Sequence, residues 1–232
     1  MIEWLNGFYN DFYQNIIYDD RYKLLLEGLL NTIVIAIIAL VIGVVLGTII
    51  SIIRYSNKEK GNFKILNKIF SAYVSVIRGT PSVLQLMIMY YVIFKTSTIS
   101  SIIIGSIAFG INSSAYVAEI LRSGFDSIDD GQVEAGLSLG LNFKQTLKYI
   151  IIPQVVKMSL PSLGNEFVTL IKETAIAGYI GIMDLTKASD IIASRTYDYF
   201  FPLIVVALMY LILTSFISKL LKKLERKLDV ND

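Results

Sequence analysis

Residues 29–53 contain no charged side chain, and that run fixes the solvent in which the chain folds. A bilayer core about 30 Å thick takes about 20 residues of helix to cross. Inside it, backbone amides find partners only within a helix or a closed barrel. Four further apolar stretches follow: 66–94, interrupted by Arg78-Gly79-Thr80-Pro81; 99–121, broken near its end by Glu119; 153–182, which holds Lys157, Pro161, Glu166, Lys172 and Glu173; and 200–218. With 54% hydrophobic and only 17% charged residues, the composition is that of a membrane protein. The expected fold is all-α with about five transmembrane helices, in one bundle over 24–228. Gly43 and Gly47 form a small-xxx-small spacing that lets another helix approach closely.

Several function classes drop out. The chain has no Cys and no His, which excludes thiolate and imidazole metal sites, disulfides and every Ser-His-Asp arrangement. No Gly is followed by Lys, so there is no phosphate-binding loop and no nucleotide hydrolysis on this chain. Neither catalytic residues nor a metal site is expected. A formal charge of +2 gives no reason to invoke nucleic acid.

Residues 1–23 lack the basic region of a cleavable signal and carry Glu3, Asp11, Asp19 and Asp20 instead. Trp4, Phe8, Phe12 and Ile16 recur at helical spacing, as in a short amphipathic helix lying in the membrane interface; a loosely ordered polar leader is the other reading. Basic residues are retained on the cytoplasmic side. They cluster after the first stretch (Arg54, Lys58, Lys60, Lys64, Lys68) and after the fifth (Lys219, Lys222, Lys223, Arg226, Lys227). That places the N-terminus outside, and the C-terminus with its tail end, 229–232, inside. The interval 124–153 is then cytoplasmic by counting, yet Asp126, Asp129, Asp130 and Glu134 outnumber Lys144 and Lys148. Within it Glu134, Leu137 and Leu141 fall on one helical face, and Gly140 before Asn142-Phe143 reads as a stop between two short helices.

Glu134-Ala135-Gly136, three residues, Gly140, nine residues, then Ile150-x-Ile152-Pro153 closely resembles the cytoplasmic coupling loop of permease subunits of ATP-binding-cassette importers. There the form is Glu-Ala-Ala, x3, Gly, x9, Ile-x-Leu-Pro; Gly136 and Ile152 depart from it conservatively. The subfamily resembled is that of the polar amino acid importers (histidine, glutamine and arginine permeases). Arg78-Gly79-Thr80-Pro81 with Gln85, Ala115 to Arg122, Gly131-Gln132, Leu160 to Phe167 and Lys172-Glu173-Thr174 through Gly181 stand in its order. The resemblance implies a multi-pass chain of a bacterial cytoplasmic membrane. It pairs with a second permease, identical or related, with two ATPase subunits that bind the ATP and Mg, and with an extracytoplasmic substrate-binding protein. This chain then carries no cofactor, and Glu134, Ala135, Gly136, Gly140 and Pro153 serve the contact with the ATPase. On periodicity alone the same interval is equally a helix that merely links two spans.

An ionisable group at membrane depth is costly unless it faces a cavity or a partner. Glu166 lies near the middle of the fourth stretch, and a carboxylate there suits the α-ammonium group of an amino acid or a cationic side chain. Asn165, Ser162 and Thr169 complete the candidate site. Pro161, Gly164 and Asn165 lead one to expect irregular backbone with amides and carbonyls open to a ligand. The opposing reading is a pair between helices. Arg78, Glu119 and Arg122 read as gating or structural pairs, with a substrate carboxylate as the other partner for Arg78, and Glu119 and Arg122 stand three apart on one helix face. Lys172 and Glu173 read as an outer gate or a snorkelling pair. An ion-coupled secondary transporter would also place a carboxylate at mid-membrane, and a membrane scaffold would use the loop for recruitment alone.

Overall fold

The computed structural model describes residues 2–229. The side chains of 2–5 and 228–229 lie outside the described residues, and with them Trp4 of the leader and most of the tail end. All regular elements among the described residues are helical: α1 (Ile2–Phe12), α2 (Tyr22–Lys60), α3 (Lys64–Gly79), α4 (Ser82–Ile88), α5 (Ser101–Asp126), α6 (Gly131–Ser138), α7 (Phe143–Thr146), α8 (Ile152–Glu173), α9 (Leu185–Thr196) and α10 (Phe200–Asp229). Single wider turns at Tyr13–Ile17, Met89–Ile93 and Leu147–Ile151, and a tighter seven-residue stretch at Thr174–Ile180, join several of them.

Three helices, α2, α5 and α10, are long and apolar enough to cross a membrane. A fourth crossing exists if α3 and the α4 segment are one broken span, for they meet at a bend of 109°. The cause is local: Pro81 supplies no amide hydrogen and disfavours helical backbone at Thr80, which is extended (φ −121°, ψ 148°). α8 is long enough at 22 residues but is not among the helices apolar enough to cross. The helices expose many large apolar side chains, among them Ile212 at 68% and Val41 at 58%. Such surface is tolerable where the surroundings are hydrocarbon.

The chain's contacts divide it into two compact units, each drawn from three stretches of the sequence. The first comprises, among the described residues, 2–39, 82–109 and 168–217. Its core gathers Ile16, Leu25, Leu185, Ala188, Ile192 and Val206. The leader is part of this unit: Ile16 is buried in its core, and Phe8 and Phe12 meet Phe201 edge-on, with centroids 5.0 and 6.0 Å apart. Asp184 caps α9, accepting hydrogen bonds from the backbone N–H of Thr186 and Lys187. Burial pushes its carboxyl up to about 6, against the pull of those amides. The segment before it docks on α2, where Asn31 Nδ2 donates to the Met183 carbonyl (2.9 Å). A Cβ at Gly28 would lie 2.7 Å from the Asp184 carbonyl oxygen.

The second unit comprises, among the described residues, 40–81, 110–167 and 218–229. α2 and α5 pack closely in it because small residues face each other. A Cβ at Gly43 would meet Ser113 Oγ at 2.9 Å, and one at Gly47 would meet Val117 at 2.7 Å. The Gly43/Gly47 spacing thus has its partner in α5. Beyond that contact one apolar cluster joins Tyr55, Val117, Leu121, Phe125, Ile151 and Val155, with the Tyr55 and Phe125 rings stacked at 4.4 Å.

Candidate functional site

The site residues of the second unit fall into three groups. The first surrounds Glu166, half-buried on α8. Ser113, fully buried on α5, donates from Oγ to Glu166 Oε1 at 2.8 Å. No cation pairs with Glu166 among the described residues, so the expected pairing between helices takes the form of one neutral hydrogen bond. Ser162, one turn before it, and Asn165, its neighbour in the chain, are exposed, and Thr169 is exposed in the first unit. The expectation of irregular backbone here is wrong. α8 runs unbroken from Ile152 to Glu173 through Pro161, which forfeits only the bond its own nitrogen would have made. The irregular turn comes later, at Thr174–Ile180.

The second group centres on Glu119. Arg122 Nε donates to its Oε1 at 2.8 Å, and Arg54 Nη1 to its Oε2 at 3.2 Å. Arg78 stands 3.9 Å from Oε1, within ion-pair but not hydrogen-bond distance, with its guanidinium 5.4 Å from the Tyr116 ring. Arg122 also bridges to Asp126, and Lys58 holds the other Asp126 oxygen at 2.8 Å. Burial works against the charge on Glu119 while three guanidiniums favour it. The structure therefore brings Arg78, Glu119 and Arg122 together and adds Arg54 and Lys58, which sequence reasoning counted only as loop cations. Lys172, exposed, and Glu173, half-buried, belong to the first unit.

The third group is the loop. α6 ends in a Schellman turn: Leu141 N–H donates to the Gly136 carbonyl (3.2 Å) and Gly140 N–H to that of Leu137 (3.0 Å). Gly140 takes the left-handed φ of +83° that this turn requires. Asn142 then caps α7 in a reciprocal pair with Gln145. Because the helix stops at Ser138, Leu141 does not share the face of Glu134 and Leu137, contrary to expectation. Gly136 is buried, and a Cβ there would meet Thr146 at 2.6 Å, so its smallness serves the packing of α6 on α7. Glu134, Ala135 and Pro153 are exposed, as are Leu137 (47%) and Leu139 (79%). The acidity of the interval has a partly internal reason, since Asp126 is paired with Lys58 and Arg122.

Two partners were absent from the sequence reading, Arg54 for Glu119 and Ser113 for Glu166. The polar run Asn112-Ser113-Ser114 inside an apolar helix was the available signal for the second.

Residues 43–230 match the family described as the inner membrane component of binding-protein-dependent transport systems. The chain belongs to this family. It is 44% identical over 164 residues to a putative glutamine transport system permease protein, GlnP, of Rickettsia conorii, covering 68% of this chain and 74% of that one. To the arginine transport system permease protein ArtQ of Bacillus subtilis it is 40% identical over 162 residues, 69% and 74% of the two chains. A solved amino acid ABC transporter crystallised with histidines matches with a TM-score of 0.80 at 42% identity, over 89% of this chain and 94% of that one. The inward-facing MetNI methionine transporter shares the fold, with a TM-score of 0.78 at 19% identity over 91% and 99%. The protein is thus an ABC transporter permease subunit with the all-helical permease fold, resident in a membrane. It is not an enzyme; in such systems the ATPase is a partner subunit, and a substrate-binding protein is a partner too.

Proposed function

We propose that this chain moves polar amino acids across a bacterial cytoplasmic membrane by alternating access, driven by two ATPase subunits that act through α6, and paired with a second permease chain. The observation that carries the cargo assignment is the Glu166 carboxylate, which has one serine hydroxyl and no cation as its partner among the described residues. A half-buried carboxylate so placed is unsatisfied as an anion, and an α-ammonium or a cationic side chain completes it. The names of the relatives, which concern glutamine and arginine, fit a ligand of that class.

Five spans follow if the bent α3–α4 pair counts as one and α8, about 33 Å long by the rise of a helix, is added to the three apolar ones. The basic segments 54–68 and 219–227 then mark the cytoplasmic side, and α6 and α7 lie there too. Glu134, Ala135, Leu137 and Leu139 form the exposed surface that meets the ATPase. A short helix fixed by a Schellman turn and a capping box transmits a push as a rigid body. An ion-gradient mechanism draws no support from the family match, and it leaves that exposed surface without a task.

The test reconstitutes the chain with its ATPase and binding protein in proteoliposomes. Glu134→Lys should abolish substrate-driven uptake while ATP hydrolysis persists uncoupled. Normal ATP-driven uptake by that variant would overturn the coupling role.

A further inference from the structure

Arg78 is the guanidinium in the Glu119 cluster without a hydrogen bond to the carboxylate. Both Glu119 oxygens are engaged by closer donors, Arg54 on one and Arg122 on the other, and Arg78 is left at 3.9 Å. Four cations (Arg54, Lys58, Arg78, Arg122) face two carboxylates (Glu119, Asp126) in this connected set of ion pairs, and Glu59 and Asp130 also act on Lys58 at its edge. Arg78 lines two cavities, of about 540 and 380 Å³, and Tyr116 and Glu119 line both with it. These volumes lie in the range of small-molecule sites. The smaller cavity is also lined by Ser123, Ser159 and Ser162. Ser159 is 3% exposed, and its hydroxyl has no hydrogen-bond partner among the described residues. A buried hydroxyl without a partner costs on the order of 1–3 kcal/mol, and this one is packed in the cavity wall, so a ligand reaches it only with a shift of that wall. Ser159, Ser162 and Glu166 also stand at helical spacing on α8.

We propose that the Arg78 cavity is a second amino acid station, distinct from Glu166, where the guanidinium takes the α-carboxylate of the cargo and the serines of α8 complete the site. The chemistry is complementary to that of the first. Glu166 selects the ammonium end of a zwitterion, whereas Arg78, with its planar fork and no hydrogen bond to Glu119, selects the carboxylate end. This rests on the reading of the cargo as an amino acid.

The experiment is equilibrium binding of radiolabelled arginine to the assembled transporter in phosphatidylcholine nanodiscs, with occupancy counted per permease chain, and with agmatine, its decarboxylated analogue, as competitor. Size-exclusion profile and Tm confirm that each variant is folded. The wild type should hold two arginines per chain. Arg78→Gln should remove the agmatine-insensitive one, weakening it tenfold to a hundredfold as expected for loss of a charged hydrogen-bond donor. Arg78→Lys should restore part of it, and Ser159→Ala, which leaves the charge cluster intact, should weaken it severalfold. Glu166→Gln should remove the other. A single agmatine-sensitive site indifferent to Arg78→Gln would overturn the second station while leaving Glu166 as a cargo site. Binding lost in Arg78→Gln but unaffected by Glu166→Gln would retain the station and overturn the assignment of Glu166. If arginine and glutamine both fail to bind the wild type, both readings fall. If Arg78-dependent occupancy is found for phosphatidylglycerol and not for the amino acid, the cavity is a lipid headgroup site and the proposal falls.

Discussion

Glu119 and Glu166 are the same residue type, in the same unit, on two helices that hydrogen-bond to each other, yet their surroundings are opposite. Glu119 stands among three guanidiniums from α2, α3 and α5. Glu166 has one serine hydroxyl. An anion enclosed by excess cation holds helices together and has no capacity left for cargo. A carboxylate given only a neutral donor lacks the counter-charge that its ionised form requires. The difference separates a structural charge from one available to a ligand, and neither burial nor residue type does so alone.

The comparison can be broken most sharply at Glu119. Glu119→Gln leaves Arg54, Arg78 and Arg122 without their shared anion, and should cost about 2 kcal/mol of stability. That lies below the 3–5 kcal/mol of a fully buried pair because the cluster is partly open to solvent. Thermal unfolding of the purified complex checks it, and a Tm equal to wild type would show that the cluster is idle. Ser113→Ala should cost about 1 kcal/mol in cargo affinity, roughly fivefold, by releasing the Glu166 carboxylate from its held position; this is read as a rise in the concentration for half-maximal uptake with Tm nearly unchanged. The smallest effect is expected at the rim. Lys58→Gln removes an exposed pair with Asp126 and should change stability by about 0.5 kcal/mol or less, a difference that salt abolishes.

The sequence made some of this legible and hid the rest for physical reasons. The apolar helices, the α2 face marked by Gly43 and Gly47, the break at Thr80-Pro81 and the Gly140–Asn142 turn are local, set by composition, sterics and capping within a few residues. The pairs that give Glu119 and Glu166 their different characters are not. Arg54 and Glu119 are 65 residues apart and Ser113 and Glu166 are 53 apart, and nothing in one helix announces its partner in another. α8 departs in the opposite direction. Pro161, Gly164 and Asn165 are locally unfavourable to helix, but the surrounding residues carry it through unbroken. Gly136 suits any close contact by its residue type, and the structure shows Thr146 against it.

The most direct test of the central claim is arginine and glutamine binding to the assembled transporter with Glu166→Gln beside wild type and Glu119→Gln. If the carboxylate with only a serine for a partner is the cargo group, Glu166→Gln weakens amino acid occupancy of its site at least tenfold and leaves Tm unchanged, while Glu119→Gln lowers Tm and spares that site's affinity once folded. Wild-type occupancy and affinity in Glu166→Gln would contradict the account.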